Sequence, residues 1–320
     1  MMKESDHTPI YTVAVLGGAG FVGRHVVHQL DSAGYNVRVL ARRRESAKHL
    51  ILLPHVTVVE CSAADDQALH AALKGCDAVI NLVGILHQSR RTTFEAIHGE
   101  LPRRLAGICK ELGIRRFIHM SALHASSAAP SIYLRSKAMG EAAIKSSKLN
   151  WTILRPSVIF GEGDSFLNMF AKMAKLTPVI PLAAANARFQ PVWVEDVAKV
   201  IVASLNKPQT WQQTYELCGP NIYTLRELVE FAARAVNAKP RIIGLNHQIS
   251  YLQAWMMEFL PVQLLSRDNL RSTQIDSVAS QPFPALFGVT PTPLEAVAPH
   301  YLGRDTQRAS YLRFRVTAGR

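Results

Sequence analysis

The feature that most constrains this chain is a glycine triplet near its beginning, Gly17-x-x-Gly20-x-x-Gly23, directly after the apolar run Thr12 to Leu16 and directly before the helical pattern Val22, Val26, Val27 and Leu30. A strand, a tight turn and a helix N-terminus in that order form a phosphate-binding corner. Glycine lets the chain turn with positive φ, lets a pyrophosphate come close to the backbone, and lets helix pack on strand. The first amides of the helix and the positive end of its dipole then face an anion. A second strand, Asn36 to Leu40, follows Gly34, so the triplet sits in the strand–helix–strand context that gives it meaning. Phe21 and Val22, between the second and third glycines, join Gly17, Gly20 and Gly23 as candidate cofactor contacts.

Further along, strands are expected at 56–60, 78–84, 116–120 and 151–157. Helices are expected at 67–73, behind the capping carboxylates Asp65 and Asp66, and as one long helix from Thr93 to Leu112. Strands and helices alternating at this pace specify an α/β fold, a Rossmann-like doubly wound parallel sheet, with a smaller C-terminal α/β lobe. The expected division is a dinucleotide-binding domain over 10–160, a smaller substrate or partner lobe over 161–300 from which 188–206 returns to the first domain, and a basic tail over 301–320. Thr224 and Glu227 are spaced as a capping box before an amphipathic helix.

Ligands of such sheets bind at the carboxyl ends of the strands, and the residues there carry the candidate chemistry. Arg42 and Arg43 stand at the end of the second strand, where an acidic residue would accept bonds from the ribose of NAD and arginine suits the 2′-phosphate of NADP. NADP(H) is therefore favoured, with NAD(H) as the second candidate. Val83 and Gly84 close the fourth strand, with a glycine that lets the backbone approach a cofactor. Ser121 stands at the end of the fifth strand, placed to hold a substrate oxygen. Tyr133 and Lys137 follow, four apart and so on one helix face. An ammonium beside a phenol lowers its pKa, which would make Tyr133 a proton donor or acceptor near neutral pH.

Composition narrows the partners. The net charge of +12 implies attraction to something acidic: a phosphate-bearing cofactor, an anionic membrane surface or an acidic protein. No zinc spacing and no aromatic-rich basic strand argue for metal or nucleic acid. Four scattered cysteines fit a reducing, cytoplasmic setting, and the polar first residues carry no apolar core of a secretion signal. No window of about 18 apolar residues predicts a transmembrane helix. The stretch Tyr251 to Leu265 is nearly all apolar, as a buried helix or as a helix lying on a membrane or partner. The tail adds a formal +4, from five arginines against Asp305.

Four stretches together resemble one family: Gly17-Gly-Ala-Gly-Phe-Val-Gly23; Tyr133-Leu-Arg-Ser-Lys-Ala-Met-Gly-Glu141; Arg155-Pro-Ser-Val-Ile-Phe-Gly161 with Phe166-Leu-Asn168; and Gln190-Pro-Val-Trp-Val-Glu-Asp-Val197. The resemblance, over about residues 11 to 300, is to the atypical short-chain dehydrogenase/reductases, and within them to bacterial relatives of the nucleotide-binding accessory subunit of respiratory complex I. It implies an NADPH-type site on Gly17, Gly20, Gly23 and Arg42, with Lys137 on the nicotinamide ribose, Pro156 and Ser157 beside the nicotinamide, and a largely structural nucleotide. In the family an aspartate after the third strand commonly binds adenine, and this chain has Ser62 there. Three functions compete. The first is an accessory or assembly partner of a membrane respiratory complex, peripheral on the inner membrane. The second is a free-standing reductase, dehydrogenase or epimerase acting on an unidentified small molecule through Ser121, Tyr133 and Lys137. The third is a nucleotide sensor that binds a protein according to redox state.

Overall fold

The computed structural model describes residues 9–89, 92–258 and 265–302. The opening residues, Phe259 to Leu264 of the apolar stretch, and all of the basic tail beyond Leu302 lie outside the described residues. The chain divides into two compact units: Met1–Pro156, Glu195–Glu216 and Pro284–Val289 form the first, and the remainder forms the second.

The first unit is built on β1 (Thr12–Leu16), α1 (Phe21–Ser32), β2 (Asn36–Ala41), β3 (Val56–Glu60), α2 (Asp66–Leu73), β4 (Ala78–Asn81), α3 (Leu101–Glu111), β5 (Arg116–Met120), α4 (Ile132–Lys145) and β6 (Asn150–Pro156). These strands lie in the order β3-β2-β1-β4-β5-β6, each parallel to its neighbour, and the strand Gln213–Leu217 adds beyond β6. Val13 pairs with Val37 on one side and Ala78 on the other, so successive connections leave β1 in opposite directions and open a crevice where it meets β4. β1 and β4 are apolar along most of their length because both faces of the sheet are covered. On one face Ala14, Leu16 and Val79 pack with Leu73 of α2 and with Leu105 and Cys109 of α3. α1 is bonded to the helix Val194–Leu205, with Gln29 donating to the Glu195 carboxylate at 2.5 Å. All four cysteines are buried free thiols.

Local capping follows the sequence. Asp65 accepts the Ala68 amide at 3.0 Å, Ser131 caps α4, and Thr224 and Glu227 form both bonds of their box. The expected helix from Thr93 to Leu112 is interrupted instead: Glu95–Glu100 winds as a wider π-type turn before α3 begins. Extended pairing in β4 stops at Asn81, whose side chain accepts the Val83 amide at 3.2 Å, so Leu82 to Gly84 leave the sheet as an irregular turn. In place of 188–206, the segment that rejoins the first unit is Glu195–Glu216, because Arg188–Phe189 and Val192–Trp193 pair with strands of the second.

The second unit packs the helix Phe166–Leu176 against Leu225–Ala235, over the parallel strands Val179–Leu182 and Arg241–Gly244. Phe170, Ile180, Leu228, Val229 and Leu302 fill its core. Asp164 accepts the Leu167 amide at 2.8 Å and the Tyr301 hydroxyl at 2.6 Å, which ties the last described helix into this core.

Candidate functional site

At the turn after β1, Gly17 adopts φ +79°, and a Cβ there would sit 3.0 Å from the Leu82 backbone. The Gly20 amide donates to the Gly17 carbonyl at 3.0 Å, and a Cβ on Gly23 would fall 2.1 Å from that same oxygen. The triplet thus lets the loop fold onto itself and onto the end of β4. No side chain caps the first turn of α1 and no carboxylate stands in it, so Phe21 and Val22 present backbone at a positive helix end. Arg42 and Arg43 are exposed where β2 ends, on a turn closed by Ser46, whose amide and hydroxyl donate to the Arg43 carbonyl at 3.1 and 2.6 Å. Ser62 accepts the Ala64 amide at 3.3 Å; its hydroxyl shapes the turn before α2 and brings no negative charge to an adenine amine.

Arg24, directly after the third glycine, carries no sequence signal of its own. Its guanidinium lies 5.7 Å from the centre of the Phe21 ring and donates to His25 Nε2 at 3.3 Å. That bond leaves the proton of a neutral His25 on Nδ1, which meets Glu195 at 2.5 Å. The hydrogen bond from His25 then holds the Glu195 carboxyl below the usual carboxylate range, against a smaller opposing effect of burial.

The other end of the crevice is polar and buried. Lys137 is 4 % exposed; its ammonium donates to the Met120 carbonyl at 3.2 Å and lies 5.9 Å from the centre of the Tyr133 ring. Burial lowers the Lys137 pKa to about 8. It pushes the Tyr133 phenol up to about 12, so the expected activation of the phenol by the ammonium is reversed: the cation sits against the ring while the low-dielectric surroundings oppose tyrosinate. Ser121 stands in the same buried cluster. Its hydroxyl donates to the buried Glu141 carboxylate at 2.6 Å, which leaves its lone pairs to accept a further bond. Glu141 accepts two further bonds from Arg155, at 2.7 and 2.6 Å, and one from Lys145 at 3.1 Å. Burial opposes its charge, yet the bonds from Arg155 and Ser121 outweigh that and hold the carboxyl below its ordinary pKa.

Three more residues belong to this end. His98 is buried between Phe94 and Tyr133. Asn81 donates to His119 Nδ1 at 3.3 Å, and His119 Nε2 has no hydrogen-bond partner among the described residues. Burial, with Lys137 nearby, lowers the His119 pKa to about 3. A Cβ on Gly84 would lie 3.4 Å from the Lys137 ammonium, so this exposed turn and the lysine adjoin. The Pro156 carbonyl accepts the Leu123 amide at 3.0 Å. In the second unit, Ser157 bonds both the carbonyl (2.8 Å) and the hydroxyl (2.9 Å) of Ser277. That unit also holds a cavity of about 650 Å³ lined by residues such as Arg226, His247 and Asp276, with none of the expected site residues.

A crevice edged by glycines whose Cβ atoms would clash, an uncapped helix start and two exposed arginines at the neighbouring strand end fit a phosphate-bearing dinucleotide. Comparison with known proteins agrees. Residues 17–208 match the family described as NAD(P)H-binding. The mitochondrial NADH dehydrogenase [ubiquinone] 1 alpha subcomplex subunit 9 of Mus musculus is 34% identical over 300 residues, covering 88% of this chain and 77% of the relative. The ceramide reductase of Caulobacter vibrioides is 31% identical over 233 residues, 73% of each chain. Among solved structures, an NADPH-dependent quinone oxidoreductase of Escherichia coli complexed with NADPH superimposes with a TM-score of 0.72 at 20% identity, covering 89% of this chain and 98% of that one.

Proposed function

This chain belongs to the NAD(P)H-binding family of atypical short-chain dehydrogenase/reductases, and from that membership we propose that it is an accessory or assembly partner of a membrane NADH:quinone oxidoreductase, holding NADP(H) as a largely structural ligand. The observation that carries this reading is the contrast within the site. The glycine corner keeps its close backbone approaches, whereas the Ser121 hydroxyl donates to Glu141 and one of the three N–H donors of Lys137 goes to the Met120 carbonyl. NADP(H) is favoured over NAD(H) because Arg42 and Arg43 offer charge-assisted donors to a 2′-phosphate. Bound NADPH would offer a hydride; this chain's own part is to seat the phosphates on the loop and α1, and the ribose near Lys137.

Charge and one helix support a peripheral place on the cytoplasmic face of the inner membrane. No helix among the described residues is long and apolar enough to cross a membrane. The helix His247–Met257 exposes Ile249, Leu252, Trp255 and Met256, and the net charge is +12. Basic groups contribute about 1 kcal/mol each near an anionic leaflet, and apolar side chains add burial at the same surface. Affinity purification from solubilised native membranes, with mass spectrometry of proteins and bound nucleotide, tests the proposal. Subunits of the oxidoreductase together with NADPH are the expected catch. Recovery wholly in the cytosol at low ionic strength, with no membrane partner after crosslinking, would overturn it.

One observation favours a second reading. Tyr133 and Lys137 remain side by side, and a reductase is 31% identical over most of this chain. In that reading the protein is an NADP-dependent reductase, with Tyr133 holding the proton given to a substrate carbonyl. NADPH consumption with a long-chain ketone, lost in Tyr133→Phe, would favour it.

A further inference from the structure

We propose that His98 is a positioning residue for the nicotinamide-ribose end of the site, its neutral ring bracing the turn after β4 against α4 and so fixing the spacing between Gly84 and Lys137. The proposal rests on the nucleotide-site reading above.

The direction of each bond follows from the chemistry of the groups. The Ile85 amide can only donate, and it donates to His98 Nε2 at 3.1 Å, so that nitrogen carries no proton. A neutral ring then keeps its hydrogen on Nδ1, which donates to the Ser136 hydroxyl at 2.9 Å. Ser136 passes its own hydrogen to the Tyr133 carbonyl at 2.7 Å. A one-way chain thus runs from the turn after β4, through the imidazole, into the first turns of α4. Each ring nitrogen of His98 makes one bond and the Ser136 hydroxyl both accepts and donates, in a place where an unmade bond is costly.

The ring is also held by its faces. Phe94 stacks on it at 5.5 Å, and Tyr133 meets it edge-on at 5.4 Å. Backbone is in contact too: a Cβ on Gly140 would stand 2.0 Å from the His98 carbonyl, so α4 crosses the π-type turn without a side chain between them. At Gly84 the parts converge, since a Cβ built there would lie 3.4 Å from Lys137 Nζ and 3.6 Å from His98 Nε2. Burial, with Lys137 alongside, keeps the His98 pKa near about 2. Both the Ile85 amide on Nε2 and the burial favour the neutral ring, which makes it a fixed brace.

Calorimetry on the full chain tests this with two probes: NADPH, and adenosine 2′,5′-bisphosphate, which lacks the nicotinamide half. His98→Phe keeps a ring and loses both bonds. His98→Asn can serve Ser136 but is too short for Ile85, and His98→Gln places an oxygen where Nε2 accepts the amide. The Phe and Asn variants are expected to weaken NADPH about tenfold and the bisphosphate less than twofold, with Gln recovering most of the loss. Hydrogen exchange at the Ile85 amide should quicken in Phe and Asn and stay slow in Gln. NADPH bound equally by all four proteins, or both probes weakened alike, overturns the proposal. Should Phe fail to fold, equal NADPH affinities of Asn and Gln would overturn it. A wild type that binds neither probe defeats the nucleotide-site reading, and the brace falls with it; one that binds both while Phe matches it defeats the brace alone.

Discussion

The two ends of the candidate site are made of different material. The phosphate end is backbone and exposed arginine: a glycine loop, a bare helix start, and Arg42 and Arg43 on the surface. The proposed nicotinamide end is buried side chain, with Ser121, Lys137 and Glu141 each under 5 % exposed and bonded within the protein. An exposed arginine can be spared by the fold, so its loss costs affinity alone. A buried, bonded group is part of the fold, so its loss costs stability first. The same ligand would thus be bound by one region built for it and another built largely for itself.

The strongest challenge to this contrast is Glu141→Ala. It leaves the Ser121 hydroxyl without its acceptor and the Arg155 guanidinium with the Ala125 carbonyl in place of a carboxylate, and should cost about 3 kcal/mol of stability by chemical denaturation. A loss within 0.5 kcal/mol, the usual range of a surface substitution, would mean that this end is not structural after all. The pH dependence carries the same information. Because the folded-state pKa of Glu141 lies below its unfolded value, its contribution is complete above about pH 4.3 and is lost as the pH falls through the lower folded value. The wild type should therefore lose more stability on acidification than Glu141→Gln.

Replacing Arg42 and Arg43 together by alanine should leave the melting temperature alone, weaken NADPH about 30-fold and weaken NADH less than threefold. Equal losses for the two nucleotides, read by calorimetry, would remove the 2′-phosphate from the account. The smallest effect is expected for Tyr133→Phe: nucleotide affinity within about twofold of wild type, because the ring that packs on His98 survives. A tenfold loss would show the hydroxyl to be a principal ligand contact.

What could be read in the sequence shares one property, short range. The glycine triplet, the Asp65 cap and the Thr224–Glu227 box each involve residues three apart, and the sheet follows from the strand–helix rhythm. The nicotinamide end depends on partners far along the chain. His98 meets Ser136 across 38 residues, and Glu141 meets Ser121 across 20. Nothing beside His98 marks it, Glu141 only closes the stretch that begins at Tyr133, and the π-type turn that seats His98 interrupts what reads as one continuous helix. The reversed shift at Tyr133 has the same origin. Spacing places lysine and tyrosine on one helix face, but which atom of one approaches which part of the other, and how dry the surroundings are, is settled by tertiary packing.

The discontinuity of the first unit governs how the chain can be cut. Arg116, at the start of β5, is 4 % exposed and donates to the carbonyls of Ser204 at 2.6 Å and Leu205 at 3.2 Å, and to the Thr210 hydroxyl at 3.2 Å. Those acceptors arrive some 90 residues later in synthesis, after the first stretch of the second unit. A fragment ending at Pro156 would carry the whole glycine loop yet leave a buried guanidinium short of its acceptors and lack the strand Gln213–Leu217 at the sheet's edge. The first unit is therefore not a detachable module: it completes itself only once the ribosome has passed the first two stretches of the other, Ser157–Val194 and Leu217–Phe283.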